Sequence, residues 1–195
     1  MSVVTIAEAW PKPGEPFTVD DLERMPDDGR RYELIDGMLL VSPAPGLPHQ
    51  RVAFVLGMLL EAACPDDAVV FGTELNVRFC ADSAMEPDVA VVRRPDAEGA
   101  RVWLTAVPLL VAEVLSPGSV LRDLMLKKGA YERFGVPSYW VIDPDLDQPS
   151  LRAFELAGGS YTEVAYVVGA EAFQAQRPFN VEIVPDRLVA KLRPR

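Results

Sequence analysis

The sequence predicts a mixed α/β sheet covered by helices. A helix-like segment at about 119–134 stands between two apolar, strand-like segments at 109–114 and 138–143. That order usually joins two parallel strands through a crossover helix. The dipeptide Asp36-Gly37, set between two apolar runs, predicts a tight hairpin and therefore antiparallel strands. The two signals together indicate a sheet that contains both parallel and antiparallel pairs.

A short helix and the hairpin are the first elements that the sequence predicts. Thr18 stands just before an acidic stretch, which is typical of an N-cap followed by an acidic first turn. The hairpin strands are expected at 31–35 and 38–42. Residues 1–16 are rich in proline and lack periodicity, so we expect a flexible N-terminal arm followed by a single domain over 17–195.

A longer helix is expected to begin near His49 and to end at Cys64-Pro65, because the residue before a proline disfavours helical geometry. Apolar residues recur at helical spacing within this segment, which predicts that one face of the helix packs on the sheet. This apolar stripe consists of Val52, Val55, Leu56, Leu59, Leu60 and Ala63.

The second half of the chain is predicted to be mostly strand, apart from the crossover helix. Ser119 is expected to cap that helix and Gly135 to end it. Gly158-Gly159 is expected to connect two neighbouring strands. Besides the strands already named, we expect strands at about 67–72, 74–79, 88–93, 150–156, 160–168 and 179–184.

The composition narrows the function classes. The chain has 195 residues, 49% hydrophobic and 25% charged, as in an ordinary globular domain. No apolar run approaches the ~18 residues of a membrane helix, and the first residues do not read as a secretory leader, so a cytoplasmic protein without membrane contact is expected. One histidine and two cysteines cannot build a multi-histidine or cysteine-cluster zinc site. Cys64 and Cys80 are expected to be buried free thiols.

The charge balance argues against simple electrostatic binding of nucleic acid. Nineteen Lys and Arg residues face 29 Asp and Glu residues, which gives a net charge of −10. Nucleic-acid-binding proteins usually carry a basic face. A local cluster could still attract phosphate, and an acidic protein with weak DNA affinity remains an alternative. The basic residues expected to flank the candidate site are Arg93, Arg94, Arg101, Arg122, Lys127 and Lys128.

Two carboxylates at the ends of apolar strands are the strongest functional signal. Asp88 opens one strand and Glu113, 25 residues later, closes another. A buried carboxylate without a partner is costly, so two at such positions suggest a cation between them. Asp123 and Lys127 share one face of the following helix. An oxygen-ligand metal site beside a lysine is suited to hydrolysis of phosphodiester bonds.

These residues belong to a series of motifs that occur in one order along the chain. In that order they resemble the Uma-two family of putative restriction endonucleases, within the PD-(D/E)XK nuclease superfamily, over about residues 17–185. The motifs are Arg31-Tyr32-Glu33-Leu34-Ile35-Asp36-Gly37, Ser42-Pro43-Ala44-Pro45, His49, Glu86-Pro87-Asp88, Glu113-Val114-Leu115-Ser116-Pro117, Asp123 with Lys127 and Tyr131, and Gly135-Val136-Pro137-Ser138-Tyr139-Trp140-Val141-Ile142-Asp143-Pro144.

The resemblance implies a restriction-endonuclease-like mixed β-sheet flanked by helices, with additional antiparallel strands. It implies that Asp88 and Glu113 bind Mg²⁺ or Mn²⁺ and that Lys127 assists the attacking water in a DNA endonuclease. The superfamily's usual lysine position is occupied by Leu115, so the lysine would have moved to the helix. Glu33 matches an acidic residue on the first element. Cleavage of two strands would be easiest for a homodimer.

Each candidate residue also has a structural interpretation. Asp88 could be a turn residue at a strand start, and Glu33 could be exposed or paired with a neighbouring arginine. Lys127 could pair with Asp123 on an exposed helix face. His49 could face solvent or cap the helix as readily as contact phosphate. The alternatives for the whole protein are a non-catalytic or partner-dependent nucleic-acid-binding module and a structural protein with an incidental acidic cluster.

Overall fold

The computed structural model describes residues 14–72, 75–116 and 118–193. Most of the predicted arm at 1–16, the start of the strand predicted at 74–79 and Pro117 of the motif series lie outside the described residues. Pro16, at the end of the arm, packs so closely on the hairpin that a Cβ added at Gly37 would come within 2.6 Å of it.

The described residues form both helices and strands. The helical elements are α1 Val19–Leu22, α2 Leu47–Ala63, α3 Arg94–Ala97, a π-helical segment Arg122–Lys127, α4 Lys128–Arg133 and α5 Pro185–Val189. The strands are β1 Arg31–Ile35, β2 Met38–Ser42, β3 Ala68–Phe71, β4 Asn76–Cys80, β5 Ser83–Met85, β6 Val89–Arg93, β7 Trp103–Leu104, β8 Leu110–Val114, β9 Ser138–Asp143, β10 Ser150–Ala157, β11 Ser160–Val168, β12 Phe173–Ala175 and β13 Val181–Ile183. None of the described helices is long and apolar enough to cross a membrane.

The described strands form three sheets. The largest has the strand order β11-β10-β9-β8-β6-β3, a second has the order β2-β1-β5-β4-β7, and β12 pairs with β13. In the largest sheet β8 and β9 are parallel, and the π-helical segment and α4 connect them. The predicted crossover and the mixed α/β sheet are therefore confirmed.

The two predicted tight connections are also present. Asp36 and Gly37 have φ values of +50° and +74°, the left-handed pair that a two-residue hairpin between β1 and β2 requires. Gly158 and Gly159 likewise have positive φ values and join β10 to β11. Both connections use residues that tolerate this backbone region at low cost.

Several local predictions need correction. The crossover helix is not α-helical throughout, because Arg122–Lys127 forms a π-helix before α4 begins. Ala63, predicted to lie on the apolar stripe of α2, is exposed, and the stripe ends at Leu60. Cys64 and Cys80 are free, but neither is fully buried and Cys80 is exposed. The elements not predicted are β5, β7, β12, α3 and α5.

The site lies where the two larger sheets meet. One face of β8 and β6 packs against α2 through residues such as Leu56 and Ala112. The opposite face of β8 packs against α4 and against Ile35 of β1, with Val111 and Tyr131 in the same cluster. Burying such a side chain contributes about 1.5–3 kcal/mol, so these two layers fix the strands that carry the candidate residues.

Candidate active site

The strand register brings the two predicted metal-binding carboxylates together. Val89 pairs with Ala112 in the antiparallel ladder between β6 and β8. One further step of that register sets Asp88 opposite Glu113, and directly opposite residues lie on the same face of a sheet. The side chains of both residues are at most 2% exposed, and both line one cavity of about 410 Å³.

Lys127 joins these strands to the hairpin. Its Nζ lies 2.8 Å from Glu33 Oε1 on β1 and 2.9 Å from Glu113 Oε1 on β8. The three residues are 1%, 1% and 2% exposed, so the ion pairs are buried. The interpretations of Lys127 as a surface partner of Asp123 and of Glu33 as an exposed strand residue are therefore wrong.

Three donors hold the carboxylate of Asp88. Arg31 Nη1 donates to Oδ1 at 2.8 Å, and the backbone N–H of Val114 donates to Oδ2 at 2.8 Å. His49 Nε2 lies 2.9 Å from the same Oδ2. Because carboxylates accept such charge-assisted hydrogen bonds strongly, Asp88 has a fixed orientation and is more than a turn residue. The Nδ1 atom of His49 is buried and has no hydrogen-bond partner among the described residues.

Two tyrosines brace the helical side of the site. Tyr131, in α4, donates from its hydroxyl to Glu113 Oε1 at 2.9 Å. Tyr139, in β9, donates to the backbone oxygen of Asp123 at 2.9 Å. Both rings are fully buried, and burial raises the pKa of each phenol well above its usual value, so both remain hydrogen-bond donors. Tyr139 and Trp140 belong to the core.

The carboxylates and cations of the site influence each other's ionisation. Burial, helped by Asp88 and Glu33, raises the pKa of Glu113 well above its usual value, although Lys127 opposes this. Burial also raises the pKa of Asp123. Burial disfavours the charged ammonium of Lys127, but the surrounding carboxylates, Glu113 first, outweigh it and raise the pKa of Lys127.

Asp88 shows the opposite shift from its neighbour Glu113. Burial alone would raise the pKa of Asp88, but the hydrogen bond and charge of His49 and the charge of Arg31 hold it well below its usual value. Within one site, burial thus raises the pKa of Glu113, whereas the neighbouring cations lower the pKa of Asp88.

The cavity presents basic side chains beside the carboxylates. Arg31, from β1, and Arg122, from the π-helical segment, both line it. Their side chains are 14% and 25% exposed. Arg122 Nη1 donates to the Ser42 hydroxyl, which fixes it at the cavity wall. Two arginines in this position could contact an anionic substrate. Glu33 is not among the described residues that line this cavity.

The donor set suits a hard cation, although a complete ligand cage is not assembled. No three described His, Cys, Asp or Glu side chains are grouped closely enough to hold an ion by themselves. Glu113 Oε1 accepts from both Lys127 and Tyr131, whereas its Oε2 accepts no hydrogen bond from the described residues. Two carboxylates with backbone carbonyl, water and phosphate oxygens would match the ligand preference of Mg²⁺.

The sequence did not indicate the partners of Asp88. Arg31 is 57 residues from Asp88 in the sequence, which indicates a neighbouring arginine only as a partner of Glu33. For His49 the sequence does not specify one contact. One signal could have found Arg31: on β1 it shares a face with Glu33, because side chains two apart in a strand point the same way.

Comparison with known proteins agrees with this architecture. The profile of the Uma2 family, described as a putative restriction endonuclease, matches residues 19–189. A crystal structure described as a putative nuclease belonging to DUF820, from Anabaena variabilis ATCC 29413, superposes with a TM-score of 0.71 at 19% identity. That match covers 91% of this chain and 100% of the other. Comparison with curated proteins found no match.

The class of protein that the family description defines is that of the nucleases, and the solved structure shows that the fold is shared. The chain belongs to the Uma2 family. The predicted family and the predicted restriction-endonuclease-like fold class are thus confirmed.

Proposed function

We propose that this protein is a metal-dependent endonuclease of the PD-(D/E)XK type that hydrolyses phosphodiester bonds in DNA. One observation carries the proposal. A buried lysine, Lys127, bridges Glu33 and Glu113 at hydrogen-bond distance, beside Asp88 and at the wall of an open cavity. A purely structural ion pair would not require a third buried carboxylate and two arginines at the same opening.

The proposed roles follow from the contacts. Asp88 and Glu113 would hold Mg²⁺ or Mn²⁺, which when bound lowers the pKa of water and offsets charge on the phosphate. Lys127 would orient the attacking water, held in place by Glu33. Tyr131 would keep Glu113 turned so that its second oxygen faces the cavity. His49 and the Val114 N–H would fix Asp88.

Arg31 and Arg122 would bind the substrate phosphate. A guanidinium group offers several N–H donors in a plane, which suits phosphate oxygens. Arg31 pairs with Asp88 at 2.8 Å and with Glu86 at 3.5 Å in this structure. Arg31 would contact the phosphate through the N–H donors that these two carboxylates do not hold. Arg31 and Arg122 would thus provide local positive charge for an anionic substrate, although the whole chain has a net charge of −10.

The decisive experiment combines ion binding with DNA cleavage. Calorimetric titration with Mn²⁺ should detect binding by the protein, and supercoiled plasmid should be nicked with Mg²⁺ or Mn²⁺ but not with EDTA. Glu113→Gln should abolish both signals. Glu163→Gln is the matched control, because Glu163 is a half-exposed partner of Arg152 on β10–β11, and it should behave like the wild type.

The alternative functions predict other outcomes. A protein that binds DNA in an ion-independent way without nicking it would be the non-catalytic module. Failure to bind either ion or DNA would leave the acidic cluster as a structural feature. Cleavage that survives Glu113→Gln would reject the proposed site. Homodimer formation and cytoplasmic location remain predictions, and sedimentation and cell fractionation would test them.

A further inference from the structure

A second, larger concavity adjoins the candidate active site. This groove has a volume of about 1140 Å³ and shares Arg31, Ala44 and Pro45 with the smaller cavity. It follows one side of α2, where Phe54 and Met58 are 58% and 56% exposed. A molecule held in the cavity could therefore extend directly into the groove.

The side of α2 that faces the groove carries two exposed apolar side chains. Phe54 and Met58 are four residues apart and so lie on one face. Gly57 lies beside them, and a Cβ added there would meet nothing within 4 Å, so the groove floor is open at that point. The guanidinium carbon of Arg51 lies 5.6 Å from the centroid of the Phe54 ring. An exposed ring with a cation on it is a stacking platform for flat, aromatic ligands.

The charged side chains that line the groove favour a nucleobase over a phosphate backbone as its occupant. Acidic and basic side chains are nearly balanced in its lining, so the groove has no excess positive charge for a phosphate backbone. A nucleobase is neutral and flat and needs no such excess. The charged lining residues are Asp27, Arg30, Arg31, Glu61 and Glu86.

We infer that this groove binds an unpaired nucleobase of the substrate strand next to the phosphate in the cavity, stacked on Phe54. The inference rests on the proposed nuclease function and specifies its substrate class. A base cannot stack on a side chain while it is stacked and paired in a duplex. The preferred substrate is therefore single-stranded DNA, or duplex with unpaired nucleotides at the cleavage point.

Binding of short oligonucleotides tests the inference without requiring cleavage. Fluorescence anisotropy, with Ca²⁺ in place of Mg²⁺, compares an oligothymidine strand with an abasic strand that carries the same phosphates but no bases. The wild type should bind oligothymidine about tenfold more tightly, in line with the measured value of base–aromatic stacking. Phe54→Ala should bind the two strands equally. Phe54 is exposed, so the substitution leaves the core intact.

Tyr166→Ala provides the matched control. Tyr166 is also an exposed aromatic residue with an arginine on its ring, since the Arg152 guanidinium lies 4.0 Å from the ring centroid, but it is on the far edge strand β11. This variant should keep the tenfold preference. Equal binding of both strands by the wild type would overturn the inference, as would a full preference in Phe54→Ala.

Two further results separate this inference from the nuclease proposal. Metal-dependent nicking by a wild type that shows no preference for bases would reject the groove assignment and leave the nuclease function standing. Absence of both nicking and strand binding would reject both. If Phe54→Ala instead converts a dimer to a monomer in sedimentation and leaves strand binding unchanged, the groove is a surface for self-association and the inference fails.

Discussion

Two consecutive lysines at one helix junction have opposite surroundings. Lys127 is 1% exposed and its Nζ lies within 2.9 Å of two carboxylates. Lys128 is half-buried, and its Nζ lies 4.8 Å and 5.8 Å from the ring centroids of Phe154 and Tyr161. Lys127 thus neutralises buried charge on one side of the helix, whereas Lys128 covers aromatic rings on the other. Only the first environment makes the ammonium indispensable, because unpaired buried carboxylates are costly whereas rings tolerate a neutral neighbour.

Lys127→Met should have the largest effect, because it removes the ammonium that two buried carboxylates share. It should reduce cleavage by a factor of about 10²–10⁴, the usual contribution of a positioned acid–base group. It should also lower the free energy of unfolding by about 3–5 kcal/mol, because the buried acids lose their shared cation. Plasmid nicking and urea denaturation would measure the two effects. An active, fully stable variant would contradict the proposed role.

Asp88→Asn removes the carboxylate that three donors hold. The ionised form of Asp88 contributes stability above its unfolded pKa of about 3.9, because its folded pKa is lower, and this contribution is lost as pH falls through the folded pKa. The variant should lose about 2–4 kcal/mol at neutral pH and progressively less in acid. Denaturation at several pH values tests this, and a pH-independent loss would show that the charge of Asp88 is not involved.

In EDTA, Glu113→Gln should raise the free energy of unfolding, whereas Asp88→Asn should lower it. The folded pKa of Glu113 is raised by burial, so the native state gains stability from its neutral form below the unfolded pKa and loses it as pH rises through the folded pKa. A neutral glutamine avoids that loss. We expect stabilisation of about 1 kcal/mol at high pH, vanishing below about pH 4.3, together with loss of ion binding. Destabilisation at high pH would mean that the ion pair with Lys127 dominates.

Lys128→Met should have the smallest effect of these substitutions. Removing the ammonium from the two rings should cost at most about 1 kcal/mol, the usual size of a half-exposed cation–π contact. Cleavage at saturating metal should stay at the wild-type level, whereas DNA binding could weaken with a smaller salt dependence. Thermal denaturation and the salt dependence of strand binding provide the measurements. A loss of turnover comparable to that of Lys127→Met would transfer the catalytic lysine to this position.

The sequence was informative where chemistry or geometry is local. Asp36-Gly37 specifies its own turn, and a carboxylate closing an apolar strand, as Glu113 does, is conspicuous because its burial is costly. The contacts of Arg31 and His49 with Asp88 could not be predicted, since they join elements distant in sequence and depend on how two sheets meet. Strands of two or three residues, such as β5 and β7, are too short to show periodicity.

The π-helical segment also escaped prediction, for a different physical reason. Its side chains follow a spacing that an α-helix would also allow, so nothing in the pattern marks the wider turn. π-Helical turns are rare and often occur at functional sites. Here the segment supplies both Arg122 and Asp123 at its start and Lys127 at its end, and all three line the cavity.

That wider turn gives the helix the equivalent of one inserted residue. Deleting one residue between Asp123 and Lys127, for example Met125, which is 70% exposed, would allow an ordinary α-helix to form. The helix downstream would keep Lys127 and Tyr131 on Glu113, while everything upstream would rotate by about 100°. Such a shortened chain would retain its carboxylate–lysine contacts but lose Arg122 from the cavity wall. The π-helical segment therefore sets the rotation about the helix axis between two parts of the helix. The first part is proposed to contact substrate, and the second is proposed to serve the chemistry.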